Sequence, residues 1–187
     1  MGVTSANRYL SADEMQGNAA YIAAFFLGRG WTSNAVAAML GNMESESGIN
    51  PGIYEGLDST SDTNGYGLVQ WTPNTKYKTW ADANGYAYGD IKGQCERILY
   101  ELENGLQWIP TDAYPMSFEE FAHSTDDVLT LAAAFVYNYE RPAEPNPVQR
   151  GLQASQWAAF LVGITIPGAS VVKPMSKLLL YFAALRR

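Results

Sequence analysis

The chain has 187 residues, of which 47% are hydrophobic, and this is enough for one domain of ordinary size with a buried core. Its formal net charge of -7 argues against nucleic acid as a partner, because a nucleic-acid site normally presents a basic stripe. A single cysteine excludes an internal disulfide and a single histidine excludes the common two- and three-histidine metal sites, so we expect no metal and no other cofactor.

Helical periodicity dominates the first fifty residues. The segment 11–14 has the form of a capping box, and the apolar positions after it recur at helical spacing until Gly28. A second helix begins after Thr32 or Ser33, either of which is a good cap, and ends before Gly48. The sequence therefore predicts two consecutive helices.

Two acidic residues lie near the end of the second predicted helix. At about 100° per residue, Glu46 falls on one edge of the apolar stripe and Glu44 on the other, so periodicity does not decide which of them borders a cleft. The negative end of the helix dipole and partial burial would both favour the protonated form of Glu46. Such a carboxyl donates a proton to a glycosidic oxygen in lysozyme-type enzymes. The alternative is a solvated glutamate at a helix end.

A polar loop over residues 52–65 leads into a short aromatic segment. Tyr66 to Trp71 favours β structure, which predicts the best strand of the chain, in a small hairpin or sheet beside a groove. Gly67 would let the backbone there approach a saccharide closely. Candidate saccharide contacts are Tyr66 and Gln70 through polar groups and Trp71 through stacking. The alternatives are an ordinary hairpin and a core tryptophan.

A second carboxylate is expected in the polar loop, because most glycosidases use a pair of them. Glu55, Asp58 and Asp62 are available there, and we favour Asp58 over Asp62. The two carboxyl groups are about 5 to 5.5 Å apart in a retaining enzyme and about 6.5 to 9.5 Å apart in an inverting one, a distance that sequence alone does not supply. The alternative is that the loop carries its aspartates for turns and solubility.

Four more helices are predicted after the strand. Thr72–Pro73 begins one, and helical spacing of apolar residues predicts two others, over Ile91–Leu102 and Val128–Tyr139. Asn146–Pro147 begins the last, which runs to about Leu161. The sequence thus predicts a mainly helical α+β domain over residues 1–162.

Tyr137 to Pro142 closes the helix at Val128–Tyr139 with a polar, aromatic cluster. As a functional element, the cluster would bring a tyrosine hydroxyl toward the groove to orient the acid. The alternative is an ordinary helix end, in which Glu140 and Arg141 pair with each other or remain solvated.

Residues 163–187 form a different kind of sequence, predicted to be an apolar, basic tail or linker. All 19 acidic residues precede residue 145, whereas five basic residues follow it. The apolar run Leu178–Leu185 is too short to span a bilayer. Docking on the domain or linking to another module is favoured over membrane contact. The N-terminus lacks the pattern of a Sec signal, so another route is expected to deliver a protein that acts outside the cell.

Three segments together resemble the bacteriophage tail lysozyme family: Met43–Pro51, Gly65–Pro73 and Tyr139–Pro145. The resemblance runs in the same order from about Asn7 to Leu161. It implies a lysozyme-like fold, related to goose-type lysozymes and soluble lytic transglycosylases. It also implies cleavage of the β-1,4 bond between N-acetylmuramic acid and N-acetylglucosamine.

The resemblance also implies roles for individual residues. Glu46 matches the catalytic acid. Gly67, Gln70 and Trp71 match the strand that lines the sugar groove, and Tyr139 matches the tyrosine beside it. The implied partners are peptidoglycan glycan strands and other phage tail proteins, and the implied location is the virion tail or the bacterial cell wall. Two alternatives stay open: a lytic transglycosylase that uses the same Glu46, and a wall-binding or tail-structural module without turnover.

Overall fold

Seven α-helices build the part of the chain that the computed structural model describes, residues 2–164. In chain order they are α1 (Ala12–Leu27), α2 (Ser33–Ser47), α3 (Thr75–Asn84), α4 (Ile91–Glu103), α5 (Phe118–His123), α6 (Val128–Phe135) and α7 (Pro147–Gly163). A 3-10 turn spans Glu55–Leu57, and a π-helical turn, Val136–Glu140, continues α6. The predicted tail falls outside the described residues from position 165 onward.

Capping residues determine where the first two helices begin. The Ser11 hydroxyl accepts a hydrogen bond from the Glu14 backbone, and the Glu14 carboxylate accepts one from the Ser11 backbone, which confirms the predicted capping box. Thr32 caps α2 through its hydroxyl. The helix ends at Gly48, which adopts a left-handed conformation with a φ of 61°. Glu46 therefore lies in the last turn of α2.

The later helices agree with the predictions in all but two respects. The helix expected directly after Thr72–Pro73 begins at Thr75. Periodicity does not predict α5, because its six residues are too few to show a repeating apolar pattern. A second capping box, formed by Ser117 and Glu120, marks the start of α5.

The predicted strand at residues 66–71, and with it the small hairpin or sheet beside the groove, is wrong. Among residues 2–164 the β pairing consists of one antiparallel bridge, between Tyr54 and Tyr66. The backbone folds into consecutive turns here because Gly67 and Gln70 have left-handed φ angles of 76° and 48°. The aromatic residues of this segment are buried, as a β-favouring composition indicates, but burial does not require an extended backbone.

One hydrophobic core runs through the described residues, from Ala19 in α1 to Leu161 in α7. Most of α2 is buried in it. Cys95 of α4 is fully buried as well, and this burial raises the pKa of its thiol, as befits a packing residue rather than a nucleophile. None of the helices within residues 2–164 combines the length and the apolar character needed to cross a membrane.

Gly41 of α2 lets α7 approach at backbone contact. A Cβ atom added at this glycine would lie 2.5 Å from the backbone nitrogen of Ala154 and 2.7 Å from the carbonyl oxygen of Arg150. Since both are backbone atoms of α7, a side chain at position 41 would force the two helices apart.

We expect Gly41→Ala to lower the free energy of unfolding by about 1–3 kcal/mol, although alanine favours a helix more than glycine does. Gly151→Ala is the matched control, because its added methyl would come close only to Cδ2 of Leu129, at 3.0 Å, with the other Leu129 atoms at an ordinary 3.9 Å, and Leu129 is exposed enough to move. Chemical denaturation measures both variants. Equal stability of the two would contradict the close-packing role of Gly41.

Candidate active site

An open cleft of about 590 Å³ lies among the end of α2, the turns at residues 69–72 and the π-helical turn after α6. This volume is in the range of sites that bind small ligands. The cleft is lined by five charged residues together with polar and apolar ones: Glu46, Glu55, Lys76, Glu140, Arg141, Val69, Gln70, Trp71, Thr72, Gln107, Tyr139 and Pro142.

The cleft brings together four of the predicted site residues, Glu46, Gln70, Trp71 and Tyr139. Three separate segments of the chain supply them, so the tertiary fold is needed to assemble them. Of the two acidic residues at the end of α2, only Glu46 lines the cleft, whereas Glu44 lies elsewhere and accepts a hydrogen bond of 2.7 Å from the Trp157 indole.

Two of the predicted saccharide contacts do not line the cleft. Tyr66 is buried and packs against the rings of Tyr54 and Tyr77. At Gly67 an added Cβ atom would lie 2.5 Å from Oε1 of Gln94, and that oxygen accepts a hydrogen bond from the Leu68 backbone. The glycine thus makes room for a packing partner inside the protein.

The second carboxylate that the sequence favours, Asp58, also lies outside the cleft. It sits in the exposed loop, where hydrogen bonds from the hydroxyl and then the backbone of Thr60 hold the pKa of Asp58 below its ordinary value. Asp62 lies at the surface and forms an ion pair of 3.6 Å with Lys78. Of the three acidic residues considered in this loop, only Glu55 lines the cleft.

Arg150 of α7 is the direct partner of Glu46. Its Nη2 lies 2.6 Å from Oε1 of Glu46, and the side chains of Arg150 and Glu46 are 6% and 16% exposed. The same guanidinium donates through Nη1 to Oδ1 of Asn42 at 3.2 Å and through Nε to the carbonyl of Pro145 at 2.9 Å. This charged hydrogen bond to Glu46 is a contact that the prediction from burial and the helix dipole did not include.

Glu140 brings a second carboxyl group to the same cleft. Its Oε1 is buried without a hydrogen-bond partner among the described residues. Loss of solvent and then the negative charge of Glu46 raise the pKa of Glu140 well above its ordinary value, against the opposing charges of Arg150 and Arg141. Arg141 instead donates to the carbonyl of Gln107 at 2.5 Å, so Glu140 is neither fully solvated nor paired with its neighbour.

Glu101 of α4 accepts hydrogen bonds from the two aromatic residues that line the cleft, Trp71 and Tyr139. Its carboxylate is 1% exposed and accepts hydrogen bonds from Nε1 of Trp71 at 2.9 Å, from the Tyr139 hydroxyl and from Nε of Arg97 at 2.9 Å. Burial is the main cause that raises the pKa of Glu101. The Tyr139 hydroxyl therefore points to Glu101, not toward the acid as the sequence-based interpretation had it.

Sequence reasoning did not identify Glu101 and Arg150 as site residues. A signal for Glu101 exists, since it follows Ile98 by three positions on the apolar stripe of α4 and a charge on such a face indicates a buried partner. For Arg150 there is no comparable local signal, because its partner Glu46 is 104 residues away in the chain.

No cluster of three or more histidine, cysteine, aspartate or glutamate side chains within residues 2–164 is arranged to hold a metal ion. The single histidine, His123, is the last residue of α5 and does not line the cleft. Its Nδ1 is 3.1 Å from the Gly30 carbonyl oxygen, and its Nε2 is 3.0 Å from a Glu119 oxygen.

Comparison with known proteins adds evidence that is independent of this geometry. The profile of a family described as phage tail lysozyme matches residues 17–161, a range that includes every residue lining the cleft. Over 159 residues the chain is 50% identical to morphogenesis protein 1 of Bacillus phage B103. The alignment covers 85% of this chain and 43% of that protein, so the chain spans less than half the length of this relative.

Proposed function

Because the chain belongs to the phage tail lysozyme family, we propose that it is a peptidoglycan hydrolase with Glu46 as its catalytic acid. The bond it cleaves is the β-1,4 bond between N-acetylmuramic acid and N-acetylglucosamine. The observation that carries the proposal is the position of Glu46, in the last turn of α2 and in the wall of the cleft. We further propose that the protein acts in the phage tail, with glycan strands and other tail proteins as its partners.

The cleft supports this chemistry in two ways. A glycan strand has to enter and leave sideways, which an open cleft allows and a closed cavity does not. Cleavage also needs a group that protonates the bridging oxygen, and Glu46 is partly exposed where a bound saccharide would lie.

The step after bond cleavage distinguishes a hydrolase from a lytic transglycosylase. In a hydrolase, water adds to the anomeric carbon and a second carboxylate assists its deprotonation. In a transglycosylase, a hydroxyl of the same muramic acid adds and leaves a 1,6-anhydro end. Glu55 supports hydrolysis, since it supplies a carboxylate to the cleft although Asp58 and Asp62 do not.

Dye release from labelled peptidoglycan tests the proposal. We expect the purified chain to release soluble dyed fragments from at least one of several wall types, and mass spectrometry to show muramic acid ends carrying the added water. Fragments lighter by one water would instead identify a transglycosylase. Binding to intact cell-wall sacculi without soluble fragments would identify a wall-binding module and contradict the proposal.

A further inference from the structure

Glu140 has the least satisfied carboxyl group of the cleft. Among the residues that line the cleft, it is the one with a buried side-chain oxygen that lacks a hydrogen-bond partner. A buried negative charge without a partner is far more costly than a buried neutral carboxyl. The surroundings therefore favour the protonated form of Glu140.

The charges near Glu140 do not reverse this preference. The charged groups that surround it or share its cleft come from α2, α3, α4, α7 and the adjoining turns: Glu46, Lys76, Glu101, Arg150, Arg141 and Glu55. Arg150 forms its ion pair with Glu46, at 2.6 Å. Arg141 donates its hydrogen bonds to the backbone carbonyls of Gln107 and Asn138. Neither cation is thus in an ion pair with Glu140, while Glu46 adds a negative charge nearby.

From this arrangement we infer that Glu140 is a positioning residue that stores the proton which Glu46 delivers to the bridging oxygen. In this arrangement Glu140 carries the transferable proton, and the negative charge of Glu46 is compensated by Arg150. The inference rests on the proposed role of Glu46, because Glu140 acts through that residue. Two carboxyl groups whose environments differ in this way divide the roles of acid and base between them.

The proton moves in a balanced sequence. It passes from Glu140 to Glu46 within the cleft that both residues line. Glu46 then forms an O–H bond to the bridging oxygen while the bond from that oxygen to the anomeric carbon breaks. Glu46 and Glu140 are both negative at this point, opposite the positive charges of Arg150 and of the sugar ring. Water adds to the ring carbon with Glu55 as the assisting carboxylate, and the proton that the water releases ends on Glu140, which restores the starting state.

The pH dependence of kcat/KM for wild type and Glu140→Gln tests the inference. The amide keeps the shape and neutrality of the protonated side chain but supplies no proton. At neutral pH we expect kcat/KM of the variant to fall by about 10- to 100-fold. We also expect the alkaline limb of its pH profile to move to lower pH, with activity recovering on acidification, because the raised pKa of Glu140 no longer sets that limb. Glu144→Gln, an exposed glutamate outside the cleft, is the control.

A carbon-13 NMR titration of the glutamate carboxyls provides a readout that is independent of activity. In wild type we expect the carboxyl signal of Glu140, identified by its loss in Glu140→Gln and so distinguished from that of buried Glu101, to titrate above the ordinary range of glutamate. In Glu46→Gln we expect this titration to move to lower pH, because the nearby negative charge is gone. The absence of such a carboxyl overturns the inference. An unchanged pH profile in Glu140→Gln, or a uniform loss of activity at every pH, also overturns it while wild-type activity and the role of Glu46 stand. An inactive wild type overturns the proposed function itself.

Discussion

Glu46→Gln is expected to reduce kcat on labelled peptidoglycan by about 10²- to 10⁴-fold, because an amide cannot donate the proton that the bridging oxygen needs. Glutamine occupies almost the same volume and still accepts a hydrogen bond from Arg150, so we expect KM and the fold to change little. Steady-state kinetics with soluble peptidoglycan fragments separates kcat from KM.

Glu44→Gln provides the matched control for Glu46→Gln. Both residues lie in the last turns of α2, but Glu44 accepts its hydrogen bond from Trp157 and does not line the cleft. We expect Glu44→Gln to retain the wild-type kcat. Activity of Glu46→Gln equal to that of this control would contradict the proposed acid.

The second large effect is expected from Arg150→Ala, which should lower the free energy of unfolding by about 3–5 kcal/mol. The guanidinium is 6% exposed and joins α7 to α2 through Glu46 and Asn42. Its removal leaves Glu46 partly buried without the compensating charge, and that cost adds to the lost hydrogen bonds. Urea denaturation followed by circular dichroism measures the change.

Arg29→Ala is the comparison for Arg150→Ala. Arg29 forms a single ion pair of 3.1 Å with Glu96, and the side chains of Arg29 and Glu96 are 41% and 28% exposed. Solvent screens such a pair, so we expect a loss of about 1 kcal/mol or less. If the two variants were equally stable, the ion pair between α2 and α7 would have no special structural role.

Helix positions were predictable because the forces that define helices act over few residues. The capping box at Ser11, the cap at Thr32 and the stop at Gly48 each involve neighbours within five positions, and the structure contains all three. The placement of Glu46 at the end of α2 follows from these local signals, whereas the short helix α5 carries too little periodicity to be found.

The turns at residues 66–71 were not predictable from the same signals. Their aromatic side chains are buried by contacts with other segments, such as the stack of Trp71 on Tyr77 with ring centres 4.8 Å apart. A composition rich in β-favouring residues indicates that the segment is buried, but it does not determine the backbone conformation. Gln70 adopts a left-handed φ that its residue type rarely takes, and only the packed structure reveals it.

The sequence by itself determined six of the seven helices of residues 2–164, the position of Glu46 and, through the resemblance, the family. Only the tertiary structure decided which charged groups surround Glu46. The sequence favoured Asp58 as the second carboxyl, yet the cleft receives Glu55 from the same loop and Glu140 from the π-helical turn after α6. Arg150 from α7 pairs with Glu46 there. The physical reason is that electrostatic contacts depend on distance in space, and the packing of α2 against α6 and α7 brings together charges about a hundred residues apart.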